Sequence, residues 1–193
     1  MKTCSVCKKN LPLDMFNKQS TGKQGVRADC KDCLKRFIRS KHGVINQMYS
    51  GCISRTKKKG FTPVSFTKEE LEKWVYSRKE FHTLYDEWVL ENYPTALKPS
   101  LDRLDDYKGY SLDNIRIVTA NTNVKRYYSD AINGINTKSA KPVEQYSLDG
   151  EYIKTFHSLS AAARSVNGIP SNINQVINGT YAQAYGYKWK LGA

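Results

Sequence analysis

The sequence predicts a modular α+β protein, assembled from several small units. Three observations lead to this prediction: two CxxC motifs near the N-terminus, a basic excess in the first third of the chain, and short strand and helix patterns towards the C-terminus. Only 39% of the 193 residues are apolar, which favours several small cores over one large core. The predicted units are a basic zinc module (1–60), a ββα core (61–132), a linker (133–142) and a C-terminal module (143–193).

The cysteine pattern predicts a structural zinc site. Cys4 and Cys7 form one CxxC motif, and Cys30 and Cys33 form a second after 22 intervening residues. Two residues between thiols let both sulfurs face one ion, and two such pairs complete a closed tetrahedral shell, which should fold the module without catalysing a reaction. Redox chemistry and incidental cysteines are the alternatives. The fifth cysteine, Cys52, is expected to be a small buried hydrophobe.

The basic charge is concentrated in the N-terminal third. Residues 1–60 contain 15 Lys and Arg against 3 Asp and Glu, whereas residues 61–140 contain 11 against 12 and residues 141–193 contain 5 against 3. Such a region suits a polyanion, most often nucleic acid. A membrane surface is the weaker alternative, because no apolar stripe of helical period accompanies the charge. The expected phosphate contacts are Lys8, Lys9, Lys31, Lys35, Arg36, Arg39, Lys57, Lys58 and Lys59.

The expected location is cytoplasmic. No stretch approaches the roughly 18 apolar residues of a membrane helix, and the N-terminus lacks the apolar segment of a signal peptide. A reducing compartment favours thiols or metal ligands over disulfides. Neither a membrane partner nor a small-molecule substrate is expected, and the chain is expected to act as a monomer.

One long helix is predicted for "TKEELEKWVYSRKEFHTLYDEWVLENYP", residues 67–94. Thr67 and Glu70 have the spacing of a capping box, and Pro94 marks the end. Apolar residues recur at three- and four-residue steps, as on a helix face that packs on a core. His82 lies beside this face, and both a structural and a functional role remain open for it. The face consists of Leu71, Trp74, Val75, Phe81, Leu84, Tyr85, Trp88 and Val89.

Two strands, a loop and a helix are predicted for residues 100–132. "SLDRL" and "IRIVT" have strand patterns, "DDYKGYSLDN" connects them, and "ANTNVKRYYSDAI" has the pattern of a helix. This order brings Asp102 and Asn123 to one pocket, where two oxygen donors would suit Mg²⁺ and phosphodiester hydrolysis. Asn114 is better placed to tie the loop to the backbone. Asp and Asn are also common loop and cap residues, so a purely structural role remains open.

Residues 99–126 resemble the HNH (His-Me finger) endonucleases, particularly phage and intron-associated homing enzymes. The resemblance rests on "PSLDRLDDYKGYSLDNIRIVT" and the helix after it, and extends back to "FHTLYDEWVLENY". It implies a ββα-metal nuclease core that uses Mg²⁺ or Mn²⁺, with Asp102 and Asn123 as metal ligands and Asn114 as a structural residue. It also implies double-stranded DNA as the partner and a phage protein acting in the bacterial host cytoplasm. The expected DNA contacts on this helix are Lys125 and Arg126.

One position departs from the family pattern. Where the family has its general-base histidine, this chain has Arg103. Arginine stays protonated and cannot take a proton from water, although it could clamp the scissile phosphate or offset charge in the transition state. The base would then be His82, Asp105, Asp106 or no protein group at all. His82 ranks first because it alone titrates near neutrality.

The C-terminal module is predicted to contain a hairpin, two short helices and a closing strand. "VEQYSLDGEYIKTF" predicts the hairpin, "SLSAAARSVNG" and "PSNINQVINGT" the helices with Ser158 and Ser171 as N-caps, and "AYGYKWKL" the strand. Residues 141–190 resemble the modular DNA-binding repeat appended to many homing endonucleases. Two helices at a turn suit a helix-turn-helix, whose second helix enters a DNA groove. The expected base contacts there are Ser171, Asn172, Asn174 and Gln175, since amides pair with adenine edges.

Together the modules predict a sequence-directed, metal-dependent DNA endonuclease of homing type that makes a nick or a double-strand break. The N-terminal cations would position the DNA backbone, and the C-terminal module would read bases or groove shape. The missing histidine favours an alternative, a DNA-binding regulator with an impaired HNH core. An RNA-binding zinc protein is a third possibility, but it would account for the basic region alone.

Overall fold

The computed structural model describes residues 1–59 and 62–192. The side chain of Lys59, one of the predicted DNA contacts, lies outside the described part of the chain. The chain divides into two compact units, Met1–Asn123 and Val124–Ala193. The fold is mixed α and β, and its strands form small antiparallel sheets. Among the described residues, no helix combines the length and the apolar character that a bilayer crossing requires.

Two short hairpins and a helix surround the paired cysteines. These elements are β1 (Lys2–Thr3), β2 (Asn10–Leu11), β3 (Phe16–Lys18), β4 (Val26–Cys30) and α1 (Lys31–Arg39). Strand β4 leads directly into α1, so Cys30 is the N-cap of the helix and Cys33 lies in its first turn. The apolar cluster here is small, with Phe16 and Val26 packed around the buried cysteines. Cores of this size usually need a metal or disulfides for stability.

Three helices build the main core of the first unit: α2 (Lys41–Lys59), α3 (Lys68–Tyr76) and α4 (Lys79–Leu90). The capping box of Thr67 and Glu70 is present at the start of α3. The prediction of one continuous helix over residues 67–94 is wrong, because the helix is interrupted at Ser77 and Arg78. The hydroxyl of Ser77 donates to the Trp74 carbonyl at 2.8 Å, and Arg78 has an extended backbone at φ −97° and ψ 117°.

The break between α3 and α4 lets both helices face one core. Leu71 and Val75 from α3 and Phe81 and Trp88 from α4 are all buried in the same cluster. One straight helix would turn part of this long apolar surface away from the core. Val89, predicted on the buried face, is instead exposed.

The predicted strand, loop, strand and helix are present as β5 (Pro99–Arg103), β6 (Ile115–Thr119) and α5 (Ala120–Ile132). The strands are antiparallel, with Asp102 opposite Arg116. Leu101 on β5 packs in the helical core. Because side chains alternate along a strand, Ser100 and Asp102 lie on the opposite face. The sheet therefore has one apolar face on the core and one polar face.

The second unit contains a three-stranded sheet and two short helices, as predicted. They are β7 (Val143–Tyr146), β8 (Tyr152–Phe156), α6 (Leu159–Ser165), α7 (Pro170–Ile177) and β9 (Lys188–Leu191), with sheet order β8-β7-β9. Ser158 caps α6 by accepting the Ala161 N–H at 3.1 Å. Ser171 does not cap α7: the N-cap is Ile169, and Pro170 takes the first helical position. Proline is favoured at that position because its φ suits a helix. An N–H group there would make no hydrogen bond within the helix, so its absence costs nothing.

The segment 133–142, predicted as a linker, contains no helix or strand. It is tied to the end of α5 through Asp130. The Asp130 carbonyl accepts the N–H groups of Ile135 and Asn136 at 2.8 and 3.1 Å. The Asp130 carboxylate binds Arg126, a predicted DNA contact, with 3.1 Å between Nε and Oδ2.

Candidate metal centre and nucleic-acid interface

The polar face of the β5–β6 pair holds a buried carboxylate. Asp102 is only 4% exposed. Arg116, directly across the sheet, donates from Nε to Asp102 Oδ2 at 2.9 Å, and its Nη2 lies 2.9 Å from the same oxygen. Sequence reasoning missed Arg116. The signal that could have found it is the pairing register, because the residue opposite a candidate ligand shares its face of the sheet.

Asn123 lies near the start of α5 and contacts the strand that carries Asp102. Its Nδ2 donates to the Leu101 carbonyl at 3.0 Å and lies 3.4 Å from Ser100 Oγ. Ser100 shares a face with Asp102, so the two predicted ligands lie on one face of this unit. Because the side-chain nitrogen of Asn123 is directed to the strand, its side-chain carbonyl oxygen is the atom that can coordinate a cation. A carboxylate and an amide oxygen fit a hard ion such as Mg²⁺ or Mn²⁺.

Asn114 is buried at the base of the loop between β5 and β6. Its Oδ1 accepts the Asp105 N–H at 2.9 Å, and its Nδ2 donates to the carbonyls of Asp105 and Gly109 at 3.1 and 2.9 Å. Its backbone carbonyl also accepts the Leu104 N–H at 3.0 Å. Asn114 therefore connects both ends of the loop, and these side-chain hydrogen bonds all join it to the backbone of the loop.

Arg103 is directed towards the same loop. Its guanidinium donates to the Lys108 carbonyl at 3.1 Å and to Asp106 Oδ1 at 3.2 Å, and lies 5.1 Å from the centre of the Tyr110 ring. The side chain is only 13% exposed. It follows Asp102 in the strand, so it leaves the backbone on the opposite side. These contacts tie Arg103 to the loop after β5.

Both ring nitrogens of His82 have partners. Nε2 lies 3.0 Å from the Tyr76 carbonyl, so it carries the proton, and Nδ1 lies 3.1 Å from the Lys41 ammonium, from which it accepts. In the described part of the chain, its hydrogen bonds lead to these residues and not to Asp102 or Asn123. His82 cannot take a proton from water until the contact with Lys41 breaks.

The four paired cysteines meet at one point. Their sulfur atoms all lie within 4.8 Å of one another. Four thiolates bound to zinc at about 2.3 Å have sulfur–sulfur edges of roughly 3.8 Å, so the cluster fits a tetrahedral zinc shell. The second shell also fits, because a tetrathiolate site is negatively charged and is stabilised by N–H donors. The members of the cluster are Cys4, Cys7, Cys30 and Cys33.

The N–H donors at the cysteine cluster come from the backbone and from one arginine. Burial raises the pKa of the Cys4 thiol, but backbone N–H groups, chiefly that of Cys30, outweigh burial and bring this pKa to about 6. Burial raises the pKa of Cys33 to about 11, although Arg36 donates to its sulfur at 3.2 Å. Arg36, predicted as a phosphate contact, is therefore also a neighbour of the metal site.

The basic region contains a cavity with aromatic walls. Its volume is about 440 Å³, and Lys35, Arg36 and Arg39 line it together with Tyr85 and Tyr93. The Arg39 guanidinium lies 4.0 Å from the centre of the Tyr93 ring, and the Tyr85 hydroxyl donates to the Arg39 carbonyl at 2.7 Å. Asp32 also lines the opening, so three cations and one carboxylate leave it with a net positive charge, which suits a phosphate group. Other predicted phosphate contacts lie exposed: Lys8, Lys9, Lys31, Lys57, Lys58 and Lys125.

The four predicted base contacts on α7 have different environments. Ser171 and Asn174 are exposed, whereas Gln175 is half-buried. Asn172 donates to the Tyr185 hydroxyl at 2.9 Å, so this amide helps to fix the loop after the helix. Of the four predicted base contacts on α7, only Ser171 and Asn174 are fully exposed.

Comparisons with known proteins identify one domain and two similar structures. Residues 141–177 match NUMOD1, a DNA-binding domain. This match lies in the region where the sequence predicts the C-terminal module. No curated protein matches the chain.

The two similar structures are both HNH enzymes. One is the HNH homing endonuclease I-HmuI, at 24% identity and a TM-score of 0.27, covering 49% of this chain and 58% of that chain. The other is the rare-cutting HNH restriction endonuclease PacI, at 20% identity and a TM-score of 0.34, covering 65% of this chain and 82% of that chain. The alignment therefore spans little more than half the length of I-HmuI, and TM-scores this low do not establish a common fold.

Proposed function

We propose that the chain is a metal-dependent DNA endonuclease of homing type. The observation that carries the proposal is the contact of Asn123 with Ser100 and the Leu101 carbonyl, which brings Asn123 next to the strand that carries Asp102. The NUMOD1 match supports DNA as the partner, and the cysteine cluster supports a structural zinc ion. The resemblance to HNH enzymes then supports phosphodiester hydrolysis by the β5–β6–α5 unit. In the sequence, this unit lies between the cysteine cluster and the NUMOD1 match.

In this proposal, Asp102 and Asn123 would hold a divalent ion, Mg²⁺ or Mn²⁺, through a carboxylate oxygen and an amide oxygen. Such an ion stabilises charge on the leaving oxygen of a phosphodiester. Asn114 and Arg103 keep the loop after β5 in place, and Arg116 orients the Asp102 carboxylate. Positioning of this kind matters because small misplacements of a reacting group cost large factors in rate.

The general base is proposed to be Asp105 or no protein group. His82 is held by Lys41 and Tyr76, and Asp106 is paired with Arg103. Asp105 is the more exposed of the two loop carboxylates, at 41% against 15% for Asp106. Its own ion pair, with Lys108, is the longer one, at 3.7 Å against 3.2 Å between Arg103 and Asp106, so its carboxylate is the less tightly held.

The active-site assignment is tested by Asp102→Asn and Asn123→Ala. We expect both variants to lose cleavage of target DNA in Mg²⁺ or Mn²⁺ while their DNA affinity stays within about twofold of wild type. Asn121→Ala is the matched control, since Asn121 is exposed on the same helix two residues earlier, and it should cut normally. Wild-type cutting by either site variant would refute the assignment.

A DNA-binding regulator is the second candidate. It is favoured by the arginine at the position of the family histidine and by the full engagement of His82. Its prediction differs in one assay. Tight, specific DNA binding with no cutting in Mg²⁺, Mn²⁺ or any other divalent metal would establish the regulator and exclude the endonuclease.

A further inference from the structure

The contact between Arg116 and Asp102 places a positive charge at the carboxylate proposed to hold the divalent ion. Both Nε and Nη2 of Arg116 lie 2.9 Å from Asp102 Oδ2. Both nitrogens converge on one carboxylate oxygen, which makes this a charge-assisted hydrogen bond with two donors. A divalent ion that binds this carboxylate must therefore compete with the guanidinium for the same negative charge.

Burial explains why Asp102 needs a resident cation. An ionised carboxylate that is almost fully buried and lacks a positive partner is strongly destabilising. Asp102 is 4% exposed, whereas the Arg116 side chain is 46% exposed. The carboxylate is thus fixed inside the unit, while its partner reaches it from solvent and can leave it without crossing the core.

The surroundings of Arg116 offer a second place for its guanidinium. Arg116 borders an open cavity of about 410 Å³ that is also lined by Arg78 and Trp74. The Arg78 guanidinium lies 4.7 Å from the centre of the Trp74 ring. Glu80 lines the same opening, so the Arg116 guanidinium could pair there with that carboxylate or, beside Arg78, with a phosphate, which matches the guanidinium equally well.

We infer that Arg116 is a positioning residue that acts as the resident counter-cation of Asp102 and gives up this place to the divalent ion. The inference rests on the proposed function, because it requires a divalent ion at Asp102. Without the ion, Arg116 neutralises and orients the carboxylate. When DNA enters, its phosphate takes the guanidinium, and the ion takes over the negative charge of the Asp102 carboxylate. Ion binding and DNA binding thereby assist each other.

The test measures Mn²⁺ binding to the zinc-loaded, full-length protein without DNA, using the EPR signal of free Mn²⁺. The variants are Arg116→Gln, which removes the charge, and Arg116→Lys, which keeps the charge but loses the fork. We expect affinity to rise from wild type to R116K to R116Q, with a gain of roughly tenfold for R116Q. Arg27→Gln is the matched control, because Arg27 has a similar contact with Asp29 at 2.9 Å, and its Mn²⁺ affinity should equal that of wild type.

Thermal unfolding gives a second readout that does not depend on activity. R116Q should have a lower Tm than wild type without Mn²⁺, because the buried Asp102 carboxylate loses this ion pair. Mn²⁺ should then raise the Tm of R116Q by more than it raises that of wild type, since a tighter ligand stabilises more. R116K should lie between them, and it provides the comparison if R116Q does not fold.

The outcomes separate this inference from the proposed function. If Asp102→Asn abolishes Mn²⁺ binding but R116Q and R116K bind no tighter than wild type, Arg116 is not a competing cation and the inference fails alone. If Asp102→Asn leaves Mn²⁺ binding at the wild-type level, the proposed metal site itself is wrong. Loss of binding in D102N together with the rising order from wild type to R116Q supports both.

Discussion

Arg103 is predicted from the sequence as a catalytic residue, and its contacts in the structure are with the loop after β5. Its position in the motif is that of the family histidine, so the sequence places it at the reacting phosphate. The folded chain directs it to Asp106, Lys108 and the Tyr110 ring. Strand alternation is the reason, because neighbours along β5 leave the sheet on opposite sides.

The first residue-scale prediction concerns Arg103→Lys. Lysine keeps the charge but cannot reach both Asp106 and the Lys108 carbonyl with a planar fork. We expect the free energy of unfolding in urea to fall by about 1–2 kcal/mol, because the variant loses a largely buried hydrogen bond to a charged group. Arg27→Lys, at a more exposed ion pair, should change stability by less than about 0.5 kcal/mol.

Cleavage by the Arg103→Lys variant separates the two roles. If Arg103 only organises the loop, cutting by R103K should fall no further than its stability loss explains, and lower temperature should restore it. A loss of cutting at full stability would instead place the guanidinium on the scissile phosphate.

At the scale of elements, the cysteine module and the α3–α4 pair illustrate two kinds of sequence signal. The CxxC spacing brings the sulfurs together through local geometry, and their convergence confirms the predicted cluster. The apolar steps of residues 67–94 identify buried residues but not the break at Ser77 and Arg78. The spacing of apolar residues reports the number of residues per helical turn. Two short helices in succession have nearly the same apolar spacing as one long helix, so the spacing does not reveal the break.

The zinc module leads to a prediction about thiol reactivity. Cys52 is fully buried, and burial raises its pKa to about 11, so at pH 8 it is a neutral, inaccessible thiol. In the zinc-loaded protein we expect no fast reaction with a thiol reagent. After a chelator is added, four thiols should react rapidly, and the fifth only in denaturant.

Cys52→Ala provides the control for the thiol count. It should leave the four chelator-released thiols unchanged and remove only the slow one. Five fast thiols in the native protein, or four before chelation, would contradict the assignment of the cluster and of Cys52.

The α7 helix shows how packing narrows a predicted surface. Asn172 is used by Tyr185, whereas Ser171 and Asn174 are exposed. Asn178 follows Asn174 by one turn and is also exposed. Residues spaced by three and four positions share one helix face, so these three polar side chains form a single stripe. If α7 enters a DNA groove as proposed, this stripe is where base contacts would be made.

At the scale of the whole molecule, charge is distributed unequally along the chain. The positive excess lies in the first 60 residues, and the DNA-binding domain match lies at residues 141–177. Backbone contacts supply affinity that falls with salt, whereas base contacts supply specificity. The proposed endonuclease would therefore separate the two tasks along its sequence.

This separation leads to a salt-dependence prediction for Lys57→Gln combined with Lys58→Gln. Both residues are exposed at the C-terminal end of α2. If both contact phosphates, the slope of log affinity against log salt should decrease by about 2, since each contact contributes roughly 0.9. The preference for one DNA sequence over another should not change.

Lys73→Gln is the matched control for this pair, because Lys73 is exposed on α3, outside the basic region. It should leave the salt slope unchanged. A change in sequence preference in the Lys57 and Lys58 variant, at constant slope, would contradict the backbone role of the basic region.

The sequence alone determined the cysteine cluster, the order of β5, β6 and α5, and the helices and hairpin of the C-terminal module. These features depend on residues close together in the chain, where spacing, capping and turn chemistry act directly. Only the tertiary structure decided that Arg116 meets Asp102, that Arg103 contacts the loop after β5, and that His82 lies between Lys41 and Tyr76. These contacts depend on strand register, loop conformation and helix packing, which the spacing of residues in the sequence does not specify.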